Sequence, residues 1–221
     1  LERALELDTP VARDQLATQN NLGAALYHAR RIEEARAVIG EALEASIALG
    51  GENSEGVASM LGNLAVLDDR VGDLAQAESG YRRALAIETG IFGDAHPSTA
   101  ATMGRLAEVL ARRGEFEEAE DLARRSLAIL RSAAPGSIEA ANHAYWLATV
   151  LQQKGDGAQA EAAYTEALDL YTNLFDPDHP NRLTCANNLG LTLVSNGKLD
   201  EAEAPLVDVA ERWRRLFGPD S

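Results

Sequence analysis

The feature that most constrains the fold of this chain is an internal repeat of about 42 residues. A leucine followed by a small residue recurs in one register through five units, at intervals of 42, 42, 41 and 42 residues. These pairs are Leu22-Gly23, Leu64-Ala65, Leu106-Ala107, Leu147-Ala148 and Leu189-Gly190. Twelve residues after the small residue, every unit carries an alanine, at Ala35, Ala77, Ala119, Ala160 and Ala202. Five units in one register predict an array in which each unit buries its apolar side against its neighbours.

Each unit is predicted to form two α-helices. Apolar residues fall at three- and four-residue intervals on both sides of a short polar break. Four of the breaks carry a glycine, which can end a helix in the left-handed conformation, and the first break has Arg30 instead. The glycines are Gly72, Gly114, Gly155 and Gly197. Small residues such as Ala35 are expected where two helices approach closely. The pattern therefore predicts an all-α chain of antiparallel helix pairs.

These residues resemble the tetratricopeptide repeat (TPR) family, whose units have Leu-Gly in the first helix and a buried alanine opening the second. The long unit and the segments Phe92–Pro97 and Phe175–Pro180 are similar to the kinesin-light-chain subtype. The resemblance implies a right-handed α-solenoid of five repeats, preceded by a leading half repeat, in one domain. Its predicted parts are a second helix over residues 1–9 and repeats over residues 10–52, 53–94, 95–135, 136–177 and 178–221.

Composition restricts the partners of this chain. Twenty basic residues against 35 acidic ones give a net charge of -15, which repels phosphate backbones and anionic lipids. No stretch is apolar enough to span a membrane. The single cysteine, Cys185, cannot form an internal disulfide, and a free thiol is typical of a reducing compartment. We therefore expect a cytoplasmic protein that contacts neither nucleic acid nor membrane.

The sequence indicates no enzyme, metal site or cofactor. It contains no phosphate-binding loop, dinucleotide-binding turn, zinc-protease helix or nucleophile elbow. His96 and His179 lie two repeats apart, too far to share a metal whose ligands must lie near 2 Å. Each precedes a proline, Pro97 or Pro180, which suits the first turn of a helix. We expect these histidines to have a structural role.

The inner face of the first helices is the predicted binding site, because stacked helix pairs present these faces as a concave surface. Positions spaced at i, i+4, i+7 and i+11 share this face. The candidate peptide-binding residues are Asn21, His28, Asn63, Arg70, Arg105, Glu108, Arg112, Asn142, Trp146, Gln153 and Asn188. Three arginines against Glu108 favour a partner segment with carboxylates. Trp146 is either an aromatic anchor for the partner or part of the packing between helices.

The resemblance implies a protein or peptide ligand. Kinesin-light-chain-like repeats bind short cargo motifs with acidic residues. Chaperone-binding TPRs use a carboxylate clamp, to which Asn63 and Arg105 correspond, but Ala101 stands where that clamp has a lysine. We therefore expect a docking module within a larger multidomain protein. The alternative is a structural module that self-associates, or packs on an attached catalytic or signalling domain, through uncapped ends bearing Trp213, Leu216 and Phe217.

Overall fold

The computed structural model describes residues 10–218, and this part of the chain is all-α, with ten α-helices joined by short links and no strand. The helices are α1 (Pro10–His28), α2 (Ile32–Gly50), α3 (Glu55–Val71), α4 (Leu74–Phe92), α5 (Pro97–Arg113), α6 (Phe116–Ala133), α7 (Ile138–Lys154), α8 (Gly157–Leu174), α9 (Pro180–Ser195) and α10 (Leu199–Phe217). The leading half repeat predicted for residues 1–9 lies outside the described residues. Between residues 10 and 218, no helix is both long and apolar enough to cross a bilayer.

The chain forms two compact units, α1–α5 and α6–α10. Within each unit, every helix packs against the next one along the chain. The links inside a helix pair are short, as at residues 72–73 and 155–156, so the paired helices run antiparallel. This arrangement confirms the predicted architecture of stacked helix pairs.

The alanines of the repeat are buried almost completely. Ala35, Ala77, Ala119, Ala160 and Ala202 are all at most 1% exposed. Two first helices carry glycine instead of alanine, and each of these glycines lies against a branched side chain. A Cβ added at Gly23 would overlap Ile39 Cγ1, and one added at Gly190 would lie 2.5 Å from Leu206 Cδ2. The expected close approach of small residues is confirmed.

The break between the paired helices takes the predicted left-handed conformation. Gly72 ends α3 with φ of 87°, and Asp73 then caps α4 by accepting a hydrogen bond from the backbone N–H of Gln76 at 3.2 Å. Gly155 and Asp156 repeat this arrangement between α7 and α8. Arg30 is the one non-glycine residue with positive φ in the described part of the chain, at 60°. It therefore occupies a conformation that disfavours any side chain.

The two loop histidines begin helices, as expected. His96 Nδ1 accepts a hydrogen bond from the backbone N–H of Ser98 at 3.1 Å, and His179 Nδ1 accepts one from that of Asn181 at 3.2 Å. The His179 ring also stacks on Phe175, with ring centroids 3.7 Å apart. Both imidazoles are thus used to fix the start of α5 and α9.

Candidate peptide-binding surfaces

The predicted binding residues divide between the two units, and each set is described by itself. The first-unit surface comprises Asn21, His28, Asn63, Arg70, Arg105, Glu108 and Arg112, on α1, α3 and α5. The second-unit surface comprises Asn142, Trp146, Gln153 and Asn188, on α7 and α9. All of these positions belong to first helices of the repeat, which is why they recur at equivalent places.

A cavity of about 560 Å³ opens between α1, the end of α2 and the start of α3. We call it the α1–α3 pocket. Leu16, Leu49 and Met60 supply its apolar walls, and Asn21 lies exposed at its edge. A pocket of this size, with a few amide and hydroxyl groups, suits an apolar side chain of a peptide.

Asn63 is partly used to hold neighbouring helices together. Its Nδ2 donates to Asn20 Oδ1 at 2.8 Å, and Asn20 Nδ2 donates to Ser59 Oγ at 3.1 Å. Asn20 is only 8% exposed and was not among the predicted residues. The sequence does carry a signal for it, because Asn20 and Asn21 are consecutive and one of two consecutive helical residues can face the neighbouring helix. Asn63 keeps its carbonyl oxygen and a second N–H for a ligand.

A second cavity of the first unit, of about 600 Å³, is basic. Its lining includes the predicted residues His28 and Arg70, together with Tyr27, Arg30 and Ile32. We call it the basic pocket. Arg30 was missed as a binding residue, although its place at the helix break was recognised. Its left-handed backbone turns the chain at this point, so the break residue reaches the same cavity as the last turn of α3.

The positive charges on α5 are more nearly neutralised than the count of three arginines against one glutamate indicated. Arg112 forms an ion pair with Asp69 of α3, and Arg105 Nη1 lies 3.8 Å from Glu108 Oε2. Burial raises the pKa of Glu108, and nearby Arg105 partly offsets this, while Asp69 raises the pKa further. Asp69 was missing from the predicted set. The excess of positive charge on the first-unit surface therefore lies mainly at the basic pocket, which Arg30 and Arg70 line.

In the second unit, aromatic and amide side chains line a cavity of about 300 Å³ between α7, α8 and α9. We call it the aromatic pocket. Its residues are Asn142, Tyr145, Trp146, Tyr171, Asn181 and Thr184. Asn188 lies beside it and donates through Nδ2 to Tyr145 Oη at 2.9 Å. Tyr171 comes from a second helix, whereas the predicted set held only positions of first helices.

Trp146 is half-buried and lines the aromatic pocket. Its ring centroid lies 4.4 Å from that of the buried His143, which belongs to the same helix, in a T-shaped arrangement. The anchor role for a partner stays a prediction. Gln153 is exposed, whereas its neighbour Gln152 accepts from Tyr164 Oη at 3.0 Å and joins α8 to α9 through Thr192. The second-unit surface is thus concentrated at the aromatic pocket.

The side chains of Ser126, His143 and Cys185 are enclosed. Ser126 and His143 contact each other but are 0% and 4% exposed, so no substrate reaches them. Burial raises the pKa of Cys185 to about 12, and its thiol donates to the Tyr164 carbonyl oxygen at 3.5 Å. Among residues 10–218, no group of three potential metal ligands lies close enough to hold an ion.

A family model of the tetratricopeptide repeat matches residues 14–87, 70–132 and 139–215. The chain belongs to the tetratricopeptide-repeat family. TPR proteins are generally non-catalytic scaffolds for protein interactions. No curated protein sequence matches this TPR chain significantly.

Solved structures share the TPR fold at low sequence identity. The nearly identical TPR-like repeats of a kinesin-light-chain candidate from Podosopora anserina are 19% identical, with 93% of this chain and 98% of that chain covered and a TM-score of 0.77. BtubC (BKLC) from P. vanneervenii is 21% identical, with 93% and 81% covered and a TM-score of 0.78. A Rap protein complexed with competence and sporulation factor is 16% identical, with 89% and 54% covered and a TM-score of 0.71.

Proposed function

We propose that the first unit docks an extended peptide segment that carries an apolar residue and an acidic residue. The observation that carries this proposal is the presence of two cavities on the same pair of helices. The α1–α3 pocket is partly apolar, and the basic pocket contains two arginines and a histidine. One segment running along α1 reaches both.

The spacing of the cavities sets the spacing of the ligand residues. Asn21 lies at the first cavity and His28 at the second, seven residues along α1. A helix rises about 1.5 Å per residue, so these points are about 10 Å apart. An extended peptide rises about 3.3 Å per residue, so about three residues separate its apolar and acidic side chains.

Arg30 and Arg70 supply the charge that selects a carboxylate. A guanidinium binds a carboxylate through paired N–H groups, and such bonds are stronger than neutral ones. The chain as a whole is acidic, with a net charge of -15. Repulsion elsewhere then favours binding of the acidic residue at this basic pocket alone.

In a cell, this module would act as a cytoplasmic scaffold within a larger multidomain protein. The buried, protonated thiol of Cys185 is compatible with a reducing compartment. The Rap complex with competence and sporulation factor gives a precedent for ligand binding by a similar fold. Affinity in the micromolar range corresponds to about -8.2 kcal/mol, which one buried anchor and a few charged hydrogen bonds can supply.

Peptide titrations of the parent and of Arg70→Glu test the proposal. The peptides place leucine three residues from glutamate, glutamine or lysine. Loss of one charged hydrogen bond costs about 1.5–3 kcal/mol. We therefore expect Arg70→Glu to weaken binding of the glutamate peptide about 10- to 100-fold. Arg83→Glu, which changes an exposed arginine on α4, is the matched control and should bind like the parent. Equal binding of all three peptides by the parent would refute the selection of an acidic ligand.

A second candidate function is self-association through the last helix pair. Leu191, Val194, Leu199, Val207 and Leu216 on α9 and α10 are large apolar residues with 42–62% exposure. Burying such apolar side chains against a second protein surface is energetically favourable. Sedimentation equilibrium of the parent and of Val207→Glu distinguishes this function. A mass that rises with concentration only in the parent supports assembly, and a constant monomer mass in both proteins excludes it.

A further inference from the structure

The α1–α3 pocket and the aromatic pocket occupy the same place in the repeat. Gly23 and Ala148 are the repeated small residues of equivalent first helices, and an offset of 125 residues relates them. The same offset relates Ala17, Asn20, Asn21, Ser46, Gly56 and Ser59 to Asn142, Tyr145, Trp146, Tyr171, Asn181 and Thr184. The six residues that line the aromatic pocket therefore have their counterparts in the lining of the α1–α3 pocket.

The two pockets differ where it matters for a ligand. Asn20, Asn21 and Ser46 of the first unit are replaced in the second by Tyr145, Trp146 and Tyr171. The volume falls from about 560 Å³ to about 300 Å³. The smaller cavity is therefore lined by three aromatic residues together with two asparagines and a threonine.

The aromatic walls are held in place before any ligand arrives. Tyr171 Oη donates to Asn142 Oδ1 at 2.7 Å, and Tyr145 Oη accepts from Asn188 Nδ2 at 2.9 Å. Trp146 rests against the buried ring of His143. A ligand would not have to order these rings, so binding avoids most of the entropy cost of immobilising side chains.

The electrostatics of the second unit favour a cation. Residues 114–221 contain nine lysines and arginines against eighteen aspartates and glutamates. The aromatic pocket has no basic residue in its described lining. Arg182, next to Asn181, directs its guanidinium to the Phe175 carbonyl oxygen at 3.3 Å and lines a different cavity. Glu139 lies exposed on α7, one turn before Asn142.

From these observations we infer that the aromatic pocket binds the ammonium group of a basic side chain on a protein partner. The face of an aromatic ring carries negative charge density and attracts a cation within about 6 Å of its centre, most strongly for tryptophan. The Asn142 side-chain oxygen adds a dipole of the same sign. This ligand is opposite in charge to the one proposed for the first unit, and its site uses different residues.

A pair of matched probes tests the inference on the intact chain. The first probe is N-acetyl-trimethyllysine methylamide, and the second is its uncharged isostere with a tert-butyl group in place of trimethylammonium. Their shapes are nearly identical, so any preference reports the positive charge. The indole N–H signal of Trp146 in a nitrogen–proton correlation spectrum reports binding, and that of Trp213, on α10, is an internal reference.

We expect the charged probe to shift the Trp146 signal and to bind about 5- to 30-fold more tightly than the isostere. Trp146→Leu, which keeps an apolar wall, should abolish this preference, and Gln15→Leu, at an exposed position of α1 that lines none of the cavities described above, should preserve it. Equal or tighter binding of the isostere would show a pocket for neutral apolar side chains and would overturn the inference. An unmoved Trp146 signal at saturating probe concentrations would overturn it as well, whatever the acidic peptides do at the first unit.

Discussion

The substitution Gly23→Ala tests the packing that holds the first helix pair together. Gly23 lies on α1 against Ile39 of α2, which is 1% exposed. An added Cβ would overlap Ile39 Cγ1 and lie 2.5 Å from its Cδ1. Ile39 is β-branched, and its side chain has few alternative rotamers in a helix. The contact can therefore be relieved only by moving the helices apart or by straining the isoleucine.

The expected magnitude combines two opposing effects. Alanine is favoured over glycine inside a helix by about 1 kcal/mol. Overpacking in a well-packed contact costs about 1–3 kcal/mol. We expect Gly23→Ala to reduce the free energy of unfolding by up to about 2 kcal/mol. Gly62→Ala is the matched control, because a Cβ at Gly62 meets nothing within 4 Å, and should stabilise the protein by about 1 kcal/mol.

Urea unfolding followed by circular dichroism measures both variants, and a double-mutant cycle with Ile39→Ala isolates the contact. In the Ile39→Ala background the clashing atoms are gone, so Gly23→Ala should become stabilising. The sign reversal corresponds to a coupling energy of about 1–3 kcal/mol, which is typical of residues in contact. Identical effects of Gly23→Ala and Gly62→Ala, or additivity in the cycle, would refute the reasoning.

Three further predictions concern single residues. Arg30→Gly should stabilise the first unit by about 1 kcal/mol in urea titrations, because it removes a side chain from the left-handed conformation. Burial raises the pKa of Glu88, whose Oε2 has no hydrogen-bond partner among the described residues. The folded state therefore binds a proton at Glu88 more tightly than the unfolded state, and the ionised carboxylate destabilises the fold at pH 7. Glu88→Gln should raise the free energy of unfolding by about 1 kcal/mol at pH 7. This gain should shrink as the pH falls towards the ordinary glutamate pKa. Melting curves against pH would show this convergence. Cys185 should resist thiol reagents in the native state up to pH 9 and react on unfolding, because burial raises its pKa to about 12.

The helical architecture was predictable because periodicity belongs to the chain itself. The recurring alanines fall at helix contacts that allow only small residues, and Ala35 and Ala160 are fully buried as that spacing requires. The helix breaks were predictable for a similar reason, since Gly72 and Gly155 supply a backbone conformation that few other residues adopt.

The details of the binding surfaces depend on tertiary geometry and were less accessible. Helical periodicity places Trp146 on a face of α7, but the reach of Tyr171 into the same cavity depends on how α8 ends against its neighbours. The pairing of Arg112 with Asp69 joins residues 43 apart and depends on the angle between α3 and α5. A count of charges along the sequence cannot detect such neutralisation.

The hydrogen bonds at Asn63 and Asn188 have a consequence for how this array can diversify. These asparagines occupy equivalent positions and donate to equivalent neighbours, yet the acceptor is an amide in Asn20 and a phenol in Tyr145. The fold thus tolerates different side chains in one pocket while the asparagine hydrogen bond between neighbouring first helices is kept. In a gene that encodes tandem repeats, a few codon changes could alter the pocket of one repeat and leave the other repeats unchanged. Recombination could then move the altered copy as a unit.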